Sequence, residues 1–451
     1  MIDNPELRRN IWLELTPHRL AAMPAVLLLI FLCVFALAER NYTPVAWTAL
    51  GLFGVITVIW GGRLSADSVL DEFRDKTWDM QRMSAIGPWM LTWGKLIGAT
   101  IFAWYGGIIC LVVFFLNGLV GQSHIPVLAV LLLAVGTALL SHGCGILSGI
   151  LAARNVRRPR PFANSIFFVF VLLGFAGKLQ NLFEHQLTDW YGLQFDRIWF
   201  ISISVWLFAG WSIIGVYRLL CIEMQVRTTL IVWLGFCAFL TVYGAGFMVD
   251  QALVHSRLTI FIGAGFFVAL TMTYLAVWLE RRDAITISRL VLQWKSANLR
   301  RALQETPCWM GTAPMALCFA LLLILLSDEP LAGAFYSSFV QRNTSLLWPL
   351  KLWLFAMRDI ALLHFFSMSR SPGRAGWTTM VYLVVIYWLV PQLLSLTKVD
   401  LLIALFVPWS GAYPAWEVIG ALVQAVVVGW LALHRWQVRT AEIAQRSATV
   451  I

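Results

Sequence analysis

Long apolar stretches separated by short polar segments run through almost the whole of this 451-residue chain. A helix rises 1.5 Å per residue and must cover about 30 Å of hydrocarbon, so a run of about 20 apolar residues predicts a membrane span. Twelve runs qualify: 21–38, 44–61, 97–118, 125–153, 162–177, 198–220, 229–248, 258–279, 309–326, 347–367, 377–396 and 415–434. The run 162–177 is short, and 347–367 carries Lys351, Arg358 and Asp359. Residues 4–19, NPELRRNIWLELTPHR, are too polar to cross. Leu7, Ile11, Trp12 and Leu15 share one helical face there, with Arg8, Arg9, Asn10 and Glu14 mostly off it. That pattern predicts a helix lying in the membrane surface, and Asn4 followed by Pro5 predicts its cap and first turn.

Composition supports the same class. Hydrophobic residues make up 60% of the chain and charged residues 12%, against about 45–50% and about 25% in soluble domains. The 23 tryptophans suit side chains at headgroup level. The seven cysteines have no CxxC or Cys/His spacing and are expected as packing residues, without disulfides. The fold class expected is therefore an all-α polytopic membrane protein.

The net charge of +10 matters through its distribution. If the N-terminus is cytoplasmic and the spans alternate, the inner segments hold Arg8, Arg9, Arg19, Arg63, Arg74, Lys76, Arg82, Lys95 and RNVRRPR (154–160). They also hold Arg218, Arg227, Arg281, Arg282, Arg289, Lys295, Arg300, Arg301, Arg370, Arg374, Arg435 and Arg439. Outer loops keep scattered cations such as Arg40, Lys178, Arg197, Arg257, Arg342 and Lys398. This asymmetry predicts twelve spans with both termini cytoplasmic. The segment ALA (36–38) resembles a signal-cleavage site, but the run before it is longer than the 7–15 residues of a signal peptide's apolar region. It is expected to stay as a span.

Residues 71–96, DEFRDKTWDMQRMSAIGPWMLTWGKL, form the densest charged stretch. Asp71, Glu72, Arg74, Asp75, Lys76, Asp79 and Arg82 alternate in sign, interleaved with Phe73, Trp78, Met80 and Met83. Ile86-Gly87-Pro88 then breaks the helix before the chain re-enters the membrane. A short helix, a break and a re-entry helix suit a surface gripped by a partner. A solvated loop whose charges keep it out of lipid accounts for the same residues.

With these elements, the chain resembles the type-2 ABC-exporter permeases, the membrane subunits of export-type ABC transporters. The family has an interfacial helix before its first span and a cytoplasmic coupling helix between its second and third. Glu72, Thr77-Trp78-Asp79, Pro88 and Gly94-Lys95 stand at the places of the family's loop pattern, while Lys76 occupies the place of its usual Gly. The likeness covers about residues 1–228. It implies a permease core over 1–228 with coupling loop 62–96, in which Glu72, Thr77, Trp78, Asp79, Met80, Arg82 and Pro88 contact a separate ATP-binding subunit. Trp78 and Met80 would be apolar anchors in a groove of that subunit, and Asp79 and Arg82 orienting charges. It further implies export across a bacterial cytoplasmic membrane, with membrane lipids and a second copy of the chain as further partners, no cofactor and no nucleic acid. The chain has no G-x-x-x-x-G-K-[ST]: Trp89 precedes Gly94-Lys95 where the first Gly belongs, and Leu172 precedes Gly177-Lys178. ATP hydrolysis would belong to another polypeptide.

Residues 229–451 form a second six-span bundle, either a degenerate repeat or an accessory half. Its loop 280–308 also follows its second span, and QETPCWMG faintly echoes IGPWM. In the span 347–367, Arg358, Asp359 and His364 are a candidate polar site, since ionisable groups inside a membrane are functional candidates. Adjacent residues point about 100° apart, so Arg358 and Asp359 are not expected to pair with each other. A structural role, snorkelling near the cytoplasmic end, is the favoured reading, because no second charged span offers an obvious partner. Residues 181–191 place Phe183, Leu187, Trp190 and Tyr191 on one helical face, as an outer re-entrant or interfacial helix. Gly145 and Gly149 form a small-xxx-small pair suited to close helix packing or to a dimer face. His18, His124, His142, His185, His255 and His434 have no ligand spacing, and no nucleophile–base or paired-carboxylate arrangement appears. The competing class is an ion-coupled secondary transporter, which expects polar mid-membrane residues in corresponding spans of both halves.

Overall fold

A computed structural model describes residues 4–84, 86–120, 126–154, 187–248, 257–280, 284–296, 304–326, 346–369, 372–396, 400–408 and 413–448. The chain is mostly helical, and among the described residues eight helices are long and apolar enough to cross a membrane, or nine if one bent pair is a single span. Two expected spans depart from that standard: Ile231–Ala245 is 15 residues long, and Trp348–Ser367 carries the three charges noted above. The expected span 162–177, residues 155–160 of the basic segment and Phe183 lie outside the described residues.

The chain divides into two compact units, Met1–Thr188 with Gln194–Thr228, and Asp189–Leu193 with Thr229–Ile451. The first unit opens with α1 (Pro5–Glu14), whose Asn4 cap accepts from the Glu6 and Leu7 amides at 3.1 and 3.4 Å. Then come α2 (Pro17–Leu37) and the 33-residue α3 (Tyr42–Arg74), which winds wide between Gly54 and Trp60. Next are the short α4 (Trp78–Met83) and α5 (Pro88–Gly98), which meets α6 (Ile101–Val120) at a 53° bend. The helices α7 (Val127–Arg154) and α8 (Arg197–Glu223) complete the unit.

Small residues set the packing of this unit. A Cβ on Gly149 would lie 2.6 Å from the Ala66 carbonyl oxygen, and one on Gly145 would overlap the Gly62 carbonyl. The small-xxx-small face of α7 is thus used inside the chain, against α3, letting the backbones approach. Ser141 Oγ donates to the Val58 carbonyl at 2.6 Å, 83 residues earlier. The same offset links Gly145 to Gly62 and Gly149 to Ala66, so α3 and α7 run parallel. On its other side α7 runs parallel to α8, from Ser202 Oγ on the Ala129 carbonyl to the Arg154–Glu223 ion pair at 2.7 Å.

The second unit contains α9 (Ile231–Ala245), α10 (Arg257–Leu279), the amphipathic α11 (Ala284–Lys295), α12 (Cys308–Leu326) and α13 (Trp348–Ser367). It ends with α14 (Ala375–Ser395), α15 (Asp400–Ile403) and α16 (Pro414–Ala448). Here α12 runs antiparallel to α10, with Thr273 Oγ donating to Thr312 Oγ at 2.8 Å and Phe319 on Gly265. α13 and α16 run parallel: Lys351–Glu417 and Arg358–Gln424 each join residues 66 apart, with Phe355 and Ala421 packed between them.

Of the helix expected over 181–191, residues 181–186 lie outside the described residues, and over 187–191 the structure corrects it. Leu187–Trp190 and Leu193–Asp196 are the strands of a hairpin, β1 and β2. Tyr191 (φ 55°) and Gly192 (φ 72°) both take positive φ, the requirement of a type I′ two-residue turn. Glycine tolerates that conformation freely, and the flanking Thr188, Trp190 and Phe195 favour strand. The tip is held by its own hydrogen bonds, Trp190 Nε1 to the Tyr243 carbonyl at 3.1 Å and Tyr191 OH to the Val242 carbonyl at 2.7 Å.

Candidate functional site

Thirty-three residues of α3 rise about 50 Å, more than the hydrocarbon thickness. Its last turns therefore carry Asp67, Asp71, Glu72 and Arg74 past the apolar stretch. The helix stops in a glycine-type C-terminal motif: Asp75 caps it, Lys76 turns left-handed at φ 57°, and the Thr77 amide returns to the Glu72 carbonyl at 3.0 Å. Lys76 therefore adopts the backbone that glycine adopts most easily, at the place where the resembled family has Gly.

Beyond that turn, α4 folds back under the end of α3. Trp78 is 6% exposed and stacks on Phe73 at 4.6 Å between ring centroids. This corrects the expectation that Trp78 is an anchor for a partner: Phe73, five residues earlier, offers an apolar face within the loop itself. Lys95, 1% exposed, reaches Glu72 Oε2 at 2.5 Å and lies over the Trp78 ring at 6.0 Å. Gln81 donates to the other Glu72 oxygen. A buried ammonium needs such a partner, because an unpaired charge out of water is costly. Glu72 is thus the centre of an internal lock joining α3, α4 and α5.

α1 closes the other side. Asn4 Nδ2 donates to the Met90 carbonyl at 2.6 Å. Cβ atoms at Gly94 and Gly98 would lie 2.8 Å from Glu6 and Asn10 atoms, so these glycines let α1 lie directly on α5. Pro88 is the first residue of α5, with Gly87 extended before it and Thr92 Oγ on its carbonyl at 2.8 Å. What faces outward is Asp75, Lys76, Thr77, Asp79, Met80 and Met83, with Arg82 half-buried. Met80 is 69% and Met83 80% exposed on a helix of only six residues. Among the described residues, neither Asp79 nor Arg82 makes an ion pair within the chain. The seven expected coupling residues thus divide: Glu72, Trp78 and Pro88 build the loop, while Thr77, Asp79, Met80 and Arg82 line its surface.

The second unit holds a separate buried polar cluster. Contrary to the expectation from adjacency, Arg358 and Asp359 do pair: Arg358 Nε and Nη2 reach Asp359 Oδ1 at 3.0 and 2.8 Å. The long arginine stem curls back over its own helix, which a direction taken at Cβ does not foresee. Asp359 Oδ2 also accepts from Tyr274 OH at 2.9 Å and Tyr387 OH at 2.8 Å. The guanidinium lies 4.8 Å from both the Phe355 and Tyr387 ring centroids and donates from Nη1 to Gln424 Oε1 at 2.6 Å. A second charged span does supply a partner: Glu417 of α16 takes Lys351 at 2.5 Å, with both side chains almost fully buried. Sequence reasoning missed Tyr274, Tyr387, Gln424 and Glu417. The signal was the seven-residue step shared by Lys351/Arg358 and Glu417/Gln424, two turns that put each pair on one face. His364 instead lines a cavity of about 20 Å³ with Glu280, Thr286, Trp309 and Met310, its ring 5.3 Å from Trp309. That volume suits one water molecule.

The first unit has a smaller counterpart. His142, fully buried in α7, contacts the Thr57 carbonyl through Nε2 at 2.8 Å, within the wide turns of α3. No family model, curated protein or solved structure matches this chain.

Proposed function

We propose that the chain is the membrane subunit of an export-type ABC transporter of a bacterial cytoplasmic membrane. In this reading it crosses the membrane twelve times with both termini inside, and a separate subunit hydrolyses ATP. The observation that carries the reading is the folded loop at 71–96. It has its own Phe73–Trp78 core and a buried Glu72–Lys95 lock to the start of the third span, and it presents two exposed methionines. A loop that merely avoids lipid needs none of these. Rigid coupling of α4 to both α3 and α5 is what a partner's motion would require to reach two spans at once. The left-handed Lys76 supports the likeness at the one position where the residue type departs from it.

Substrate movement would then follow from tilting α3 and α5 together, with α1 sliding along the membrane surface over Gly94 and Gly98 of α5. The test is ATP turnover. The chain purified alone should hydrolyse none, and turnover should appear when a P-loop ATPase from the same cell is added. Turnover by the chain alone contradicts the reading.

One observation favours the second class, an ion-coupled transporter. His142 meets Thr57, and Asp359 meets Tyr274, with the same 85-residue separation in each unit. Each unit therefore holds a buried ionisable side chain against a helix that lies 85 residues earlier, as repeated halves with polar sites would. Under that reading Asp359→Asn abolishes transport driven by an ion gradient. Under the ATP-driven reading, transport needs nucleotide and no gradient.

A further inference from the structure

The two units pack the same helix pairs at sequence separations that differ by two or three residues, although their residues scarcely match. In the first unit the second span contacts the fourth across 83 residues, Ser141 to Val58. In the second, the equivalent contact crosses 85, Asp359 to Tyr274. The fourth and sixth spans pack in parallel in both units, 69 residues apart at Arg154–Glu223 and 66 apart at Arg358–Gln424. The second and third spans are antiparallel in both, joined by Thr57 Oγ on the Ala103 carbonyl and by Thr273 Oγ on Thr312. Alternation along the chain already fixes these directions; what the two units have in common is which helices pack together, the second on the third and fourth and the fourth on the sixth.

The second helices of the two units differ in how far they run. In the first unit the second span continues seventeen residues past Thr57 to Arg74 and carries the docking loop at its tip. In the second, the equivalent helix stops at Leu279, six residues past Thr273. The difference is about three helical turns, or about 16 Å of projection. In place of a projecting loop stands α11, AITISRLVLQWK, with Ala284 and Leu290 buried beneath it. Ile285 (49% exposed) and Leu292 (66%), two turns apart, share its outer side, and Trp294 (51%) stands exposed near the opposite side, by the helix end. Arg289 and Lys295 accompany them, and the helix has no acid. Its first carbonyl is tied to the last long helix by Trp436 Nε1 at 3.3 Å.

We propose that the second unit is a copy of the first that has lost ATPase docking, and that α11 lies in the membrane surface against anionic lipid. Exposed Ile285 and Leu292 with Arg289 on the same side, and an exposed tryptophan by the helix end, suit acyl chains and phosphate headgroups. The docking loop is the opposite, with alternating acids and bases and methionines at its tip. The contrast rests on the proposed function, because it assigns one ATPase-docking surface to each chain.

Site-specific photocrosslinking in the full chain tests both parts. p-Benzoylphenylalanine is placed at Leu292 in one variant and at Met83 in another, irradiated in native membranes, and the adducts are identified by mass. The expected result is a phospholipid adduct at 292 and an ATPase adduct at 83. A protein adduct at 292, or a full-length chain without lipid there, overturns the membrane-lying helix. An ATPase adduct at 292 also overturns the single docking surface. A lipid adduct at 292 with no ATPase adduct at 83 supports the placement of α11 while contradicting the proposed function, so the two failures are distinguishable.

Discussion

Lys95 places an ammonium group where almost no water reaches it, and Glu72 and Trp78 are what make this tolerable. Removing one member of a buried pair leaves the other charge stranded, at about 3–5 kcal/mol. Replacing both by uncharged groups of similar shape costs far less. Lys95→Ala should therefore lower the melting temperature in detergent clearly, whereas Lys95→Met with Glu72→Gln should recover most of the loss. Equal losses in the single and double variants would contradict the lock. Neither partner is conspicuous in the sequence as a pair: they are 23 residues apart, and Lys95 looks like one more cation at the end of a span. The Arg358–Asp359 pair was misjudged for a related reason. Cβ directions describe short side chains well, but an arginine stem spans a helical turn and can return to its neighbour.

At the scale of the element, the periodic helices were legible and the exceptions were not. The N-terminal helix Pro5–Glu14 follows from its Asn-Pro start and its one apolar face. The hairpin at 187–196 was hidden because Leu187, Trp190 and Tyr191 also fall on one face of a helix, and the Tyr-Gly turn signal is weaker than Asn-Gly. Trp78 was misplaced because burial within a six-residue helix depends on Phe73, outside that helix. This reassigns the interface. Met80→Ser with Met83→Ser should leave the melting temperature unchanged and weaken ATPase association by about 2 kcal/mol, roughly thirtyfold. Trp78→Ala should instead lower the melting temperature, because it empties a stacked contact. Titration of binding beside a thermal melt separates the two effects. In α7, Gly149→Val should prevent correct packing, since its Cβ would already sit 2.6 Å from a backbone oxygen. Loss of the monodisperse peak in size-exclusion chromatography is the expected result.

Across the whole molecule, hydropathy gives the all-helical membrane class, because the bilayer demands long apolar helices with satisfied backbones. Which helices touch is not written in hydropathy. The helix pairings that the two units have in common emerge only from contacts such as Ser141–Val58 and Asp359–Tyr274, between residues that have no chemistry in common. The central claim remains that the loop at 71–96 grips a separate ATPase. Affinity purification of the full chain from native membranes in mild detergent, beside the Met80→Ser/Met83→Ser variant, tests it most directly. The account predicts a P-loop ATPase bound in stoichiometric amount to the unaltered chain and absent from the equally stable variant. An unaltered chain that purifies without any such ATPase, or a variant that retains it fully, would contradict the account.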